Sequence, residues 1–443
     1  MNNKQNEVLL LMTTIQLNFN NLSEAEALFS IFPASDKYEF TAKRVFRLKH
    51  HVDCSCGDKM VHNGYDYARK KGFGKVRIGK QLCKTCGNQY HEDKSFWKKL
   101  LSQWKEMITK FIMTLRDADV SWDIVSKLMN FIIPFGKTKA MYMFNERIEQ
   151  FEYPQENYLI VNYDEQHPKK GRTQKFRLTL LNYKTKIPIA DCLFDNKNEE
   201  TIRMFLREHL DTEKELIIIT DCDRRYPKIF NDLWGNKLIH QKCLLHLNKL
   251  VVKDFEKTKS LFNEYNKYLL LNIFYNRGKE LKFLERLLKK QDKGLFADAK
   301  EKNKWVKEKL HTFREYVKKI ENQRRRGKES LSQRPLWKAK QLLAELWKQK
   351  QLFPKKAKDR LKMIQKNWKF FTAFYAVKDC PATNNAIENY FSTSLKTHRK
   401  KQLRTDKGLL NHMKLAALKR VQGFANPKRT ILQLYGLFKL ITV

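Results

Sequence analysis

The stretch from Leu216 to Asp221 constrains the fold most, because it joins a buried strand to an acid. Leu216–Ile219 are four consecutive large apolar residues, bounded by charged residues on one side and a threonine on the other. A short apolar run with β-branched residues predicts a strand that is buried on both faces. The strand then ends on Asp221. The main question that the sequence poses is why so basic a chain places a carboxylate there.

The charge of the chain predicts a polyanionic partner. Its 443 residues include 89 Lys and Arg against 48 Asp and Glu, which gives a net charge of +41. Solubility needs far less charge than this, and nucleic acid is the commonest polyanion. Solvated lysines on helix faces explain part of the excess but not all of it. The length suggests two or three domains, and 42% hydrophobic residues are enough to give each a core.

The sequence favours a cytoplasmic protein with no membrane partner. No stretch reaches the roughly eighteen continuous apolar residues of a membrane span. The amino terminus has a short apolar run without the cationic start and the small-residue cleavage site of a signal peptide. We therefore expect the eight cysteines to be reduced thiols or metal ligands rather than disulfides.

Four of these cysteines predict a structural zinc site in a ribbon over residues 46–95. Cys54 and Cys56 form one pair, Cys83 and Cys86 form the other, and a glycine follows the second cysteine of each. Two close pairs of thiolates can complete a tetrahedral Zn²⁺ site with no open position for substrate. The one-residue gap in the first pair is unusual, so a histidine could replace Cys54. The candidates are His50, His51 and His62.

Residues 96–152 predict three short helices. Trp104, Ile108, Phe111 and Leu115 recur at helical spacing, and Ser121 is a plausible N-cap for the second helix. This arrangement favours a DNA-binding helix-turn-helix over a plain three-helix bundle, because a cysteine module precedes it in a basic chain. The candidate DNA-binding side chains at the start of the third helix are Lys137 and Lys139.

Residues 153–246 predict the first part of an α/β core. The stretches YLIVNYD, KFRLTLLNY and KIPIADCLF have the composition of strands, and a helix, NEETIRMFLREHL, follows them. The strand ELIIIT, a short helix and the strand KLIHQK come next. This order of elements is that of the ribonuclease H-like fold, with a mixed sheet.

The other segments complete this organisation. Residues 247–380 predict an all-helical insertion. Its arginine-rich stretch 322–335 is either a disordered linker or a DNA-contacting loop, and we favour the linker. Residues 381–443 complete the core and end in basic helices. Residues 1–45 form an amino-terminal segment whose one clear signal is a short helix, LSEAEALFSIF.

Three acids answer the opening question. Asp164 and Asp221 each end a predicted strand, and Glu388 lies in a predicted helix. In a ribonuclease H-like arrangement the two strand ends lie side by side, and a later helix brings the glutamate against them. Such a cluster requires cations, and carboxylate oxygens suit two Mg²⁺ or Mn²⁺ ions. Glu165 and Asp223 are the alternative ligands, although strand alternation favours Asp164 and Asp221.

A family resemblance supports this interpretation. The stretches VNYDEQHP, ITDCDRRYP, HQKCLLHLNK and ATNNAIENYFSTSLKTHRKKQ together resemble the catalytic domain of DDE transposases, the Mutator-like insertion-sequence group especially. Cys243 and His246 match the Cys-x-x-His signature of that group, and Thr383–Glu388 matches its T-N-N-x-x-E segment. We favour a structural or DNA-contacting role for this pair; as a metal site it would need Cys222, His240 or Cys380.

The resemblance covers roughly residues 50–420 and implies a DNA transposase. Metal ions at Asp164, Asp221 and Glu388 would cut the ends of an element, and the 3′-hydroxyls would attack target DNA. It also implies double-stranded DNA as partner, a homodimer that joins two ends, and a prokaryotic, nucleoid-associated location. Candidate phosphate contacts follow the glutamate: Lys396, His398, Arg399, Lys400 and Lys401.

Two departures and two rival functions accompany this assignment. The Cys-x-Cys pair is atypical, and no glycine follows Asp221. The first rival is a domesticated, non-catalytic DNA-binding regulator. The second is a ribonuclease H-like nuclease without strand transfer.

Overall fold

The computed structural model describes residues 38–70, 74–92, 95–130, 136–166, 175–255, 259–403 and 405–423. The chain forms two compact units, Met1–Glu152 with Asn411–Val443 and Tyr153–Leu410. The predicted bounds 46–95, 96–152, 153–246, 247–380 and 381–443 stay predictions, because a division into two units does not separate them. The short helix predicted within residues 1–45 lies outside the described residues.

The first unit contains a five-stranded sheet. Four strands follow the order β1-β2-β4-β3, and β5 also pairs with β4. β3 and β4 form a long antiparallel hairpin, with a register shift between His62 and Tyr65. The strands are β1 (Tyr38–Phe40), β2 (Val45–Leu48), β3 (Val61–Lys70), β4 (Gly74–Leu82) and β5 (Gln89–His91).

Three helices follow this sheet, as predicted: α1 (Ser95–Asp117), α2 (Trp122–Asn130) and α3 (Lys137–Glu149). Ile108, Phe111 and Leu115 are buried along one face of α1. The predicted N-cap of α2 is confirmed, because the Ser121 hydroxyl accepts a hydrogen bond from the Ile124 N–H at 3.3 Å. The tight turn predicted at Pro134–Gly136 falls mostly outside the described residues.

The second unit is built on a mixed five-stranded sheet, and the predicted order of strands and helices is confirmed. The strand order is β10-β9-β6-β7-β8. β6, β7 and β8 are antiparallel neighbours, whereas β9 is parallel to β6 and β10 is parallel to β9. The strands are β6 (Ile160–Gln166), β7 (Phe176–Asn182), β8 (Pro188–Phe194), β9 (Leu216–Thr220) and β10 (Leu238–Lys242).

Helices cover both faces of this sheet. α4 (Glu199–His209) and α5 (Tyr226–Trp234) pack on the face that contains Val161, Tyr163 and Ile218. The opposite face carries α13 (Asn385–Ser394), which buries Ile387 and Tyr390 against Leu181 of β7. Because side chains alternate along a strand, Asn162 and Asp164 of β6 occupy the α13 face.

The predicted helical insertion is confirmed. Among the described residues from the end of β10 to Ala376 there are seven α-helices, and their apolar faces share one core that includes Leu284, Phe313 and Phe371. They are α6 (Leu244–Asp254), α7 (Leu261–Leu271), α8 (Gly278–Lys293), α9 (Ala299–Arg325), α10 (Leu336–Lys348), α11 (Lys355–Lys366) and α12 (Trp368–Ala376). Beyond α13 come α14 (Thr397–Gln402) and α15 (Asp406–Gln422).

The interpretation of 322–335 as a disordered linker is wrong. α9 continues to Arg325, and the residues after it are held by hydrogen bonds to the loop between α7 and α8. The Asn276 N–H donates to the Ser332 carbonyl, and the Arg334 N–H donates to the Phe274 carbonyl, both at 2.9 Å. The Arg334 guanidinium also donates to the Asn272 side chain at 2.6 Å. Arg334 therefore fastens the end of this segment to the rest of the insertion.

None of the helices in the described ranges is long and apolar enough to cross a membrane.

Candidate catalytic and metal-binding sites

The pairing of β6 with β9 brings Asp164 and Asp221 to the same level of the sheet. The two strands run parallel, with Val161 opposite Ile218 and Asn162 opposite Ile219. Continued by two residues, the same register places Asp164 opposite Asp221. Neighbouring strands are about 4.8 Å apart, so the two acids share one short stretch of sheet edge. The sequence prediction that these strand ends lie side by side agrees with this geometry.

The two carboxylates accept hydrogen bonds from backbone amides. Asp164 Oδ1 accepts from the Glu165 N–H at 2.8 Å, and Asp221 Oδ1 accepts from the Asp223 N–H at 2.9 Å. Burial and then repulsion from Asp221 raise the pKa of Asp164 to about 8. Burial also raises the pKa of Asp221. A neighbouring cation would relieve both effects, because it favours the ionised form of each acid.

The alternative acids Glu165 and Asp223 already have cationic partners. Glu165 lies 2.9 Å from the Lys197 amine and accepts hydrogen bonds from two buried tyrosine hydroxyls. Asp223 forms an ion pair with Arg225 at 2.8 Å. Their charges are therefore balanced within the protein. This pairing favours Asp164 and Asp221 as the acids that remain for a metal ion.

Helix α13, which carries Glu388, is anchored to β6 by Asn384. The Asn384 side chain is fully buried. Its amide donates to the Tyr163 carbonyl at 3.0 Å, and its oxygen accepts a hydrogen bond from the Asn162 amide at 2.6 Å. Because Asp164 follows Tyr163 directly, this contact fixes the start of α13 beside the strand that carries the first acid.

Cys243 and His246 connect the second acid to the same helix. The Cys243 N–H donates to the Thr220 carbonyl at 2.8 Å, next to Asp221. Its sulfur accepts a hydrogen bond from the Asn384 N–H at 3.1 Å. Cys243 therefore joins the end of β9 to the start of α13. This geometry agrees with the structural role predicted for Cys243.

His246 and Lys249 of α6 contact Glu388. The Lys249 amine lies 2.8 Å from Glu388 Oε1, and His246 Nε2 lies 3.5 Å from the same oxygen. Burial lowers the pKa of His246, whereas the charge of Asp221 raises it. The charges of both Asp221 and Glu388 therefore act on the His246 ring. In this state Lys249 balances the charge of Glu388.

The carboxylates of Asp164, Asp221 and Glu388 do not all lie close enough together to bind one metal ion in this state. Among the described residues, the cysteine cluster of the first unit is the one group of three or more Cys, His, Asp or Glu ligand atoms within 4.8 Å of one another. Asp164 and Glu388 still interact electrostatically, because Glu388 contributes to the raised pKa of Asp164. The contact with Lys249 accounts for the position of the Glu388 side chain. The metal group suggested for Cys243 and His246 is likewise not formed.

A buried ion pair holds the far end of α13. Arg177 of β7 donates two hydrogen bonds to Asp191 of β8, at 2.7 and 2.5 Å. Arg177 also donates to the Ser394 hydroxyl at 2.9 Å, and the Tyr390 hydroxyl donates to Asp191 at 2.8 Å. Since Tyr390 and Ser394 belong to α13, the ion pair fixes the helix against rotation about its axis.

The four cysteines of the first unit form the predicted cluster. The sulfurs of Cys54 and Cys86 are 3.4 Å apart, and those of Cys56 and Cys83 are 3.5 Å apart. A tetrahedral zinc ion with Zn–S bonds of about 2.3 Å needs S–S separations of roughly 3.8 Å, so the spacing fits. The cluster needs no histidine ligand. His62 packs instead against His51.

The local backbone explains how two short loops gather the sulfurs. Gly57 and Gly87 have φ values of 94° and 74°, a region that favours glycine. Each glycine N–H donates to the carbonyl of the first cysteine in its pair, at 3.0 and 2.9 Å. The backbone N–H of Cys56 and then the thiol of Cys86 lower the pKa of Cys54 to about 6. At Cys54 the loop therefore favours the thiolate that a metal requires.

The predicted DNA-binding side chains differ in exposure. Lys137 is exposed at the start of α3, where it pairs with Asp123 at 2.7 Å, and Lys139 follows in the same turn. Lys396 and His398 are exposed, and Lys400 is half-buried on α14, which also contains Lys401. Arg399 is buried, with 6% of its surface exposed, and donates to Gln402 at 2.9 Å. Its predicted role at the surface therefore does not fit its position.

Sequence reasoning missed the residues that position the acids: Asn162, Arg177, Asp191, Lys249, Asn384 and Tyr390. Three of them left a signal, and one of these, Asn384, lies in the T-N-N-x-x-E match without having been given a role of its own. Arg177 and Asp191 are charged residues inside otherwise apolar strands, which indicates a buried pair. Lys249 left none, because it resembles any other surface lysine on a helix.

We expect Asn384→Ala to lower the free energy of unfolding by about 2–3 kcal/mol, because the buried Asn162 amide and the Tyr163 carbonyl lose their partner. Urea denaturation followed by circular dichroism measures this loss. Asn385→Ala, at the exposed neighbouring position, is the matched control and should change stability by less than about 0.5 kcal/mol. Equal effects at both positions would contradict the anchoring role.

We expect Asp164→Asn to raise the free energy of unfolding of the metal-free protein above that of the wild type, by an amount that grows as the pH rises. The unfolded chain releases this proton near pH 3.8 and the folded chain near pH 8, so ionisation costs stability progressively between these values. The variant should therefore match the wild type near pH 4 and exceed it by at least about 1 kcal/mol above pH 8.

Urea midpoints across this pH range measure the difference. Asp359→Asn, at an exposed position of α11, is the control and should show no such trend. A stabilisation that is independent of pH would argue against the repulsion between the two acids.

Comparison with models of protein families gives no match, and comparison with curated proteins gives none either.

Proposed function

We propose that this chain is a metal-dependent DNA transposase of the DDE type. The observation that carries the proposal is the position of Asp164 and Asp221, which lie opposite each other at the ends of the adjacent parallel strands β6 and β9. The helix α13, which carries Glu388, is hydrogen-bonded to β6 beside Asp164. The strand order and directions agree with the ribonuclease H-like fold that the resemblance implies. The proposal therefore includes that fold for the second unit.

The donor set suits two Mg²⁺ or Mn²⁺ ions. Asp164 and Asp221 offer carboxylate oxygens that accept hydrogen bonds from backbone amides, and burial followed by repulsion from Asp221 raises the pKa of Asp164 to about 8. Hard oxygen ligands select such ions. When bound, they would activate a water or hydroxyl and stabilise the leaving oxygen of a phosphodiester.

The protein side chains have distinct roles in this proposal. Asp164 and Asp221 would hold the ions at the sheet edge, since backbone pairing fixes their positions. Glu388 would complete the ligand set in place of its contact with Lys249. The Lys249 amine would then offer a positive charge to a DNA phosphate. Asn384 and the Arg177–Asp191 pair keep α13 in place during this exchange.

The remaining parts of the chain would bind DNA. The net charge of +41 attracts the phosphate backbone, and helices α1–α3 would act as a helix-turn-helix with Lys137 and Lys139 at the groove. Lys396, His398, Lys400 and Lys401 would contact phosphates near the cut. A homodimer would join two element ends in the cytoplasm of a prokaryotic host. Zn²⁺ at the four cysteines would hold the ribbon together.

We expect Glu388→Gln to abolish Mg²⁺-dependent nicking of terminal-repeat DNA, with a fall of at least about 100-fold, while DNA affinity stays within about twofold. The change removes a charged ligand but keeps the shape of the side chain. A gel assay of end cleavage and strand transfer measures activity, and fluorescence anisotropy measures binding. Glu308→Gln, on the exposed surface of α9, is the control.

The same assay separates the rival functions. Wild-type binding without metal-dependent nicking would favour a non-catalytic regulator. Nicking without strand-transfer products would favour a nuclease. Undiminished nicking by Glu388→Gln would reject the role given to Glu388.

We expect the purified chain to contain one zinc ion per molecule, and Cys83→Ser to lose it. Removal of zinc should unfold the ribbon, because structural zinc supplies much of the folding energy of small modules. Elemental analysis and thermal unfolding with and without a chelator measure both effects. Cys192→Ser, on β8, should keep its zinc. Full zinc content in Cys83→Ser would contradict the four-cysteine site.

A further inference from the structure

The backbone pairing of β6 with β9 ends before it reaches the two acids. In the described part of the sheet the last pair is Asn162 with Ile219, and β9 ends one residue later. Asp221 therefore lies on the loop that follows β9, whereas Asp164 lies within β6, where that strand is still paired with β7. Contacts other than backbone pairing must hold this loop beside β6.

Two successive hydrogen bonds shape the loop that follows β9. Asp221 Oδ1 accepts from the Asp223 N–H, and Asp223 Oδ1 accepts from the Arg225 N–H, both at 2.9 Å. Each aspartate thus closes a short turn onto the backbone two residues ahead, a geometry that favours Asp. The Asp221 carboxylate is therefore linked through Asp223 to the backbone of Arg225.

The Arg225 guanidinium joins this loop to two other segments. It donates to both oxygens of Asp223, from Nε to Oδ1 at 3.1 Å and from Nη2 to Oδ2 at 2.8 Å. Its Nη1 donates to the Lys197 carbonyl, in the loop between β8 and α4, at 2.5 Å. Its Nη2 also lies 3.9 Å from Glu165 Oε1 of β6. One side chain therefore connects the loop after β9 with β6 and with the β8–α4 loop.

The groups that Arg225 contacts are held in place by the rest of the unit. The Glu165 side chain is only 4% exposed, and it accepts hydrogen bonds from two buried tyrosine hydroxyls. The Lys197 amine lies 2.9 Å from the same carboxylate. The next residue, Asn198, caps α4, because its side chain accepts from the Thr201 N–H at 2.8 Å. Arg225 thus binds groups whose positions do not depend on the loop that it holds.

The charge and the hydrogen bonds of Arg225 have opposite effects on a metal ion at the acids. A positive charge next to Asp221 and Asp223 repels a cation. The hydrogen bonds favour the cation instead, because they keep the second acid at the distance from β6 at which both acids can bind it. A substitution at this position therefore separates the two effects by the sign of the change in metal affinity.

We propose that Arg225 is a positioning residue of the metal site: it holds the loop after β9 against β6, so that Asp164 and Asp221 present their carboxylates to the same metal ions. This role rests on the proposed function, to which the metal site belongs. Arg225 acts through Asp223 and touches neither metal nor DNA. Loss of a contact that orients a metal ligand typically lowers metal affinity about 10- to 100-fold.

The first test measures Mn²⁺ binding by the zinc-loaded full chain without DNA. Electron paramagnetic resonance of free Mn²⁺ gives the affinity, and Asp164→Asn/Asp221→Asn defines the binding that depends on the acids. We expect Arg225→Gln to bind Mn²⁺ at least about tenfold more weakly than the wild type. Equal or tighter binding would overturn the positioning role, because loss of the positive charge alone favours a cation.

Arg224→Gln is the matched control for this measurement. Arg224 is the exposed neighbour of Arg225, and its replacement removes the same charge from the same loop. We expect its Mn²⁺ affinity to stay within about twofold of the wild type, since exposed charges contribute little. A loss of affinity as large as that of Arg225→Gln would overturn the role given to Arg225.

Arg225→Lys separates the hydrogen-bond geometry from the charge, and it replaces Arg225→Gln if that variant does not fold. Lysine keeps the charge, but its single amine cannot bind Asp223 and the Lys197 carbonyl as the planar guanidinium does. We expect weaker Mn²⁺ binding in a variant whose circular dichroism spectrum matches the wild type. Wild-type Mn²⁺ affinity in Arg225→Lys, or a lower thermal midpoint with unchanged affinity, would overturn the proposal.

DNA nicking separates the positioning role from the proposed function. We expect Arg225→Gln to need about tenfold more Mg²⁺ for half-maximal nicking, with a rate at saturating Mg²⁺ within about threefold of the wild type. Arg225-dependent Mn²⁺ binding without nicking would keep the positioning role and lose the transposase assignment. Nicking with the same Mg²⁺ requirement in both chains would keep the assignment and lose the positioning role. A wild type without acid-dependent Mn²⁺ binding would overturn both.

Discussion

Parallel pairing between β6 and β9 is the contact on which the candidate site depends. A strand shifted by one residue would turn its alternate side chains to the other face of the sheet. Asp164 would then lie against α4 and α5 instead of α13. The register is held because Val161, Tyr163 and Ile218 must all enter the same core. The apolar residues of the strands thus determine where the acids are placed.

The position of α13 depends in turn on this register. Asn384 binds both the side chain of Asn162 and the carbonyl of Tyr163, so it can engage β6 in one register only. Cys243 adds a contact from the end of β9. Three segments that are far apart in the sequence therefore meet through buried hydrogen bonds. The Asn384 side chain is satisfied on both its amide nitrogen and its oxygen, which lets a buried polar group stabilise the fold.

The sequence was sufficient to predict the strands, the insertion and the cysteine cluster, because each has a local pattern. Apolar runs identified β6 and β9, helical periodicity identified α9, and paired Cys-x-Cys and Cys-x-x-Cys identified the cluster. The pairing of Lys249 with Glu388 was not predictable in this way, since it joins two helices across the long insertion. Strand alternation already favoured Asp164 over Glu165, and the contacts of Glu165 with Lys197 and Tyr226 support that preference.

Composition gave one wrong interpretation for a physical reason. Arginine-rich segments are often solvated, yet two of the four arginines in residues 322–335, Arg324 and Arg334, bind this segment to the rest of the insertion, whereas Arg325 and Arg326 are exposed. Arg324 pairs with the buried Glu280, and Arg334 donates to the Asn272 carbonyl at 2.8 Å. The guanidinium group has five donors and can satisfy several carbonyl oxygens at once. The number of arginines in a segment therefore does not reveal whether their partners are water or protein.

The Arg177–Asp191 pair has a consequence for how this sequence can change. Both side chains are buried beneath α13, and removal of either one leaves an uncompensated charge that costs about 3–5 kcal/mol. Two apolar residues of similar volume would avoid that penalty, yet each must arise while the other charge is still present. The intermediate with one substitution is the unstable one. Residues 177 and 191 must therefore change together. Variants of this fold will either replace both charged residues by apolar ones at once or keep both.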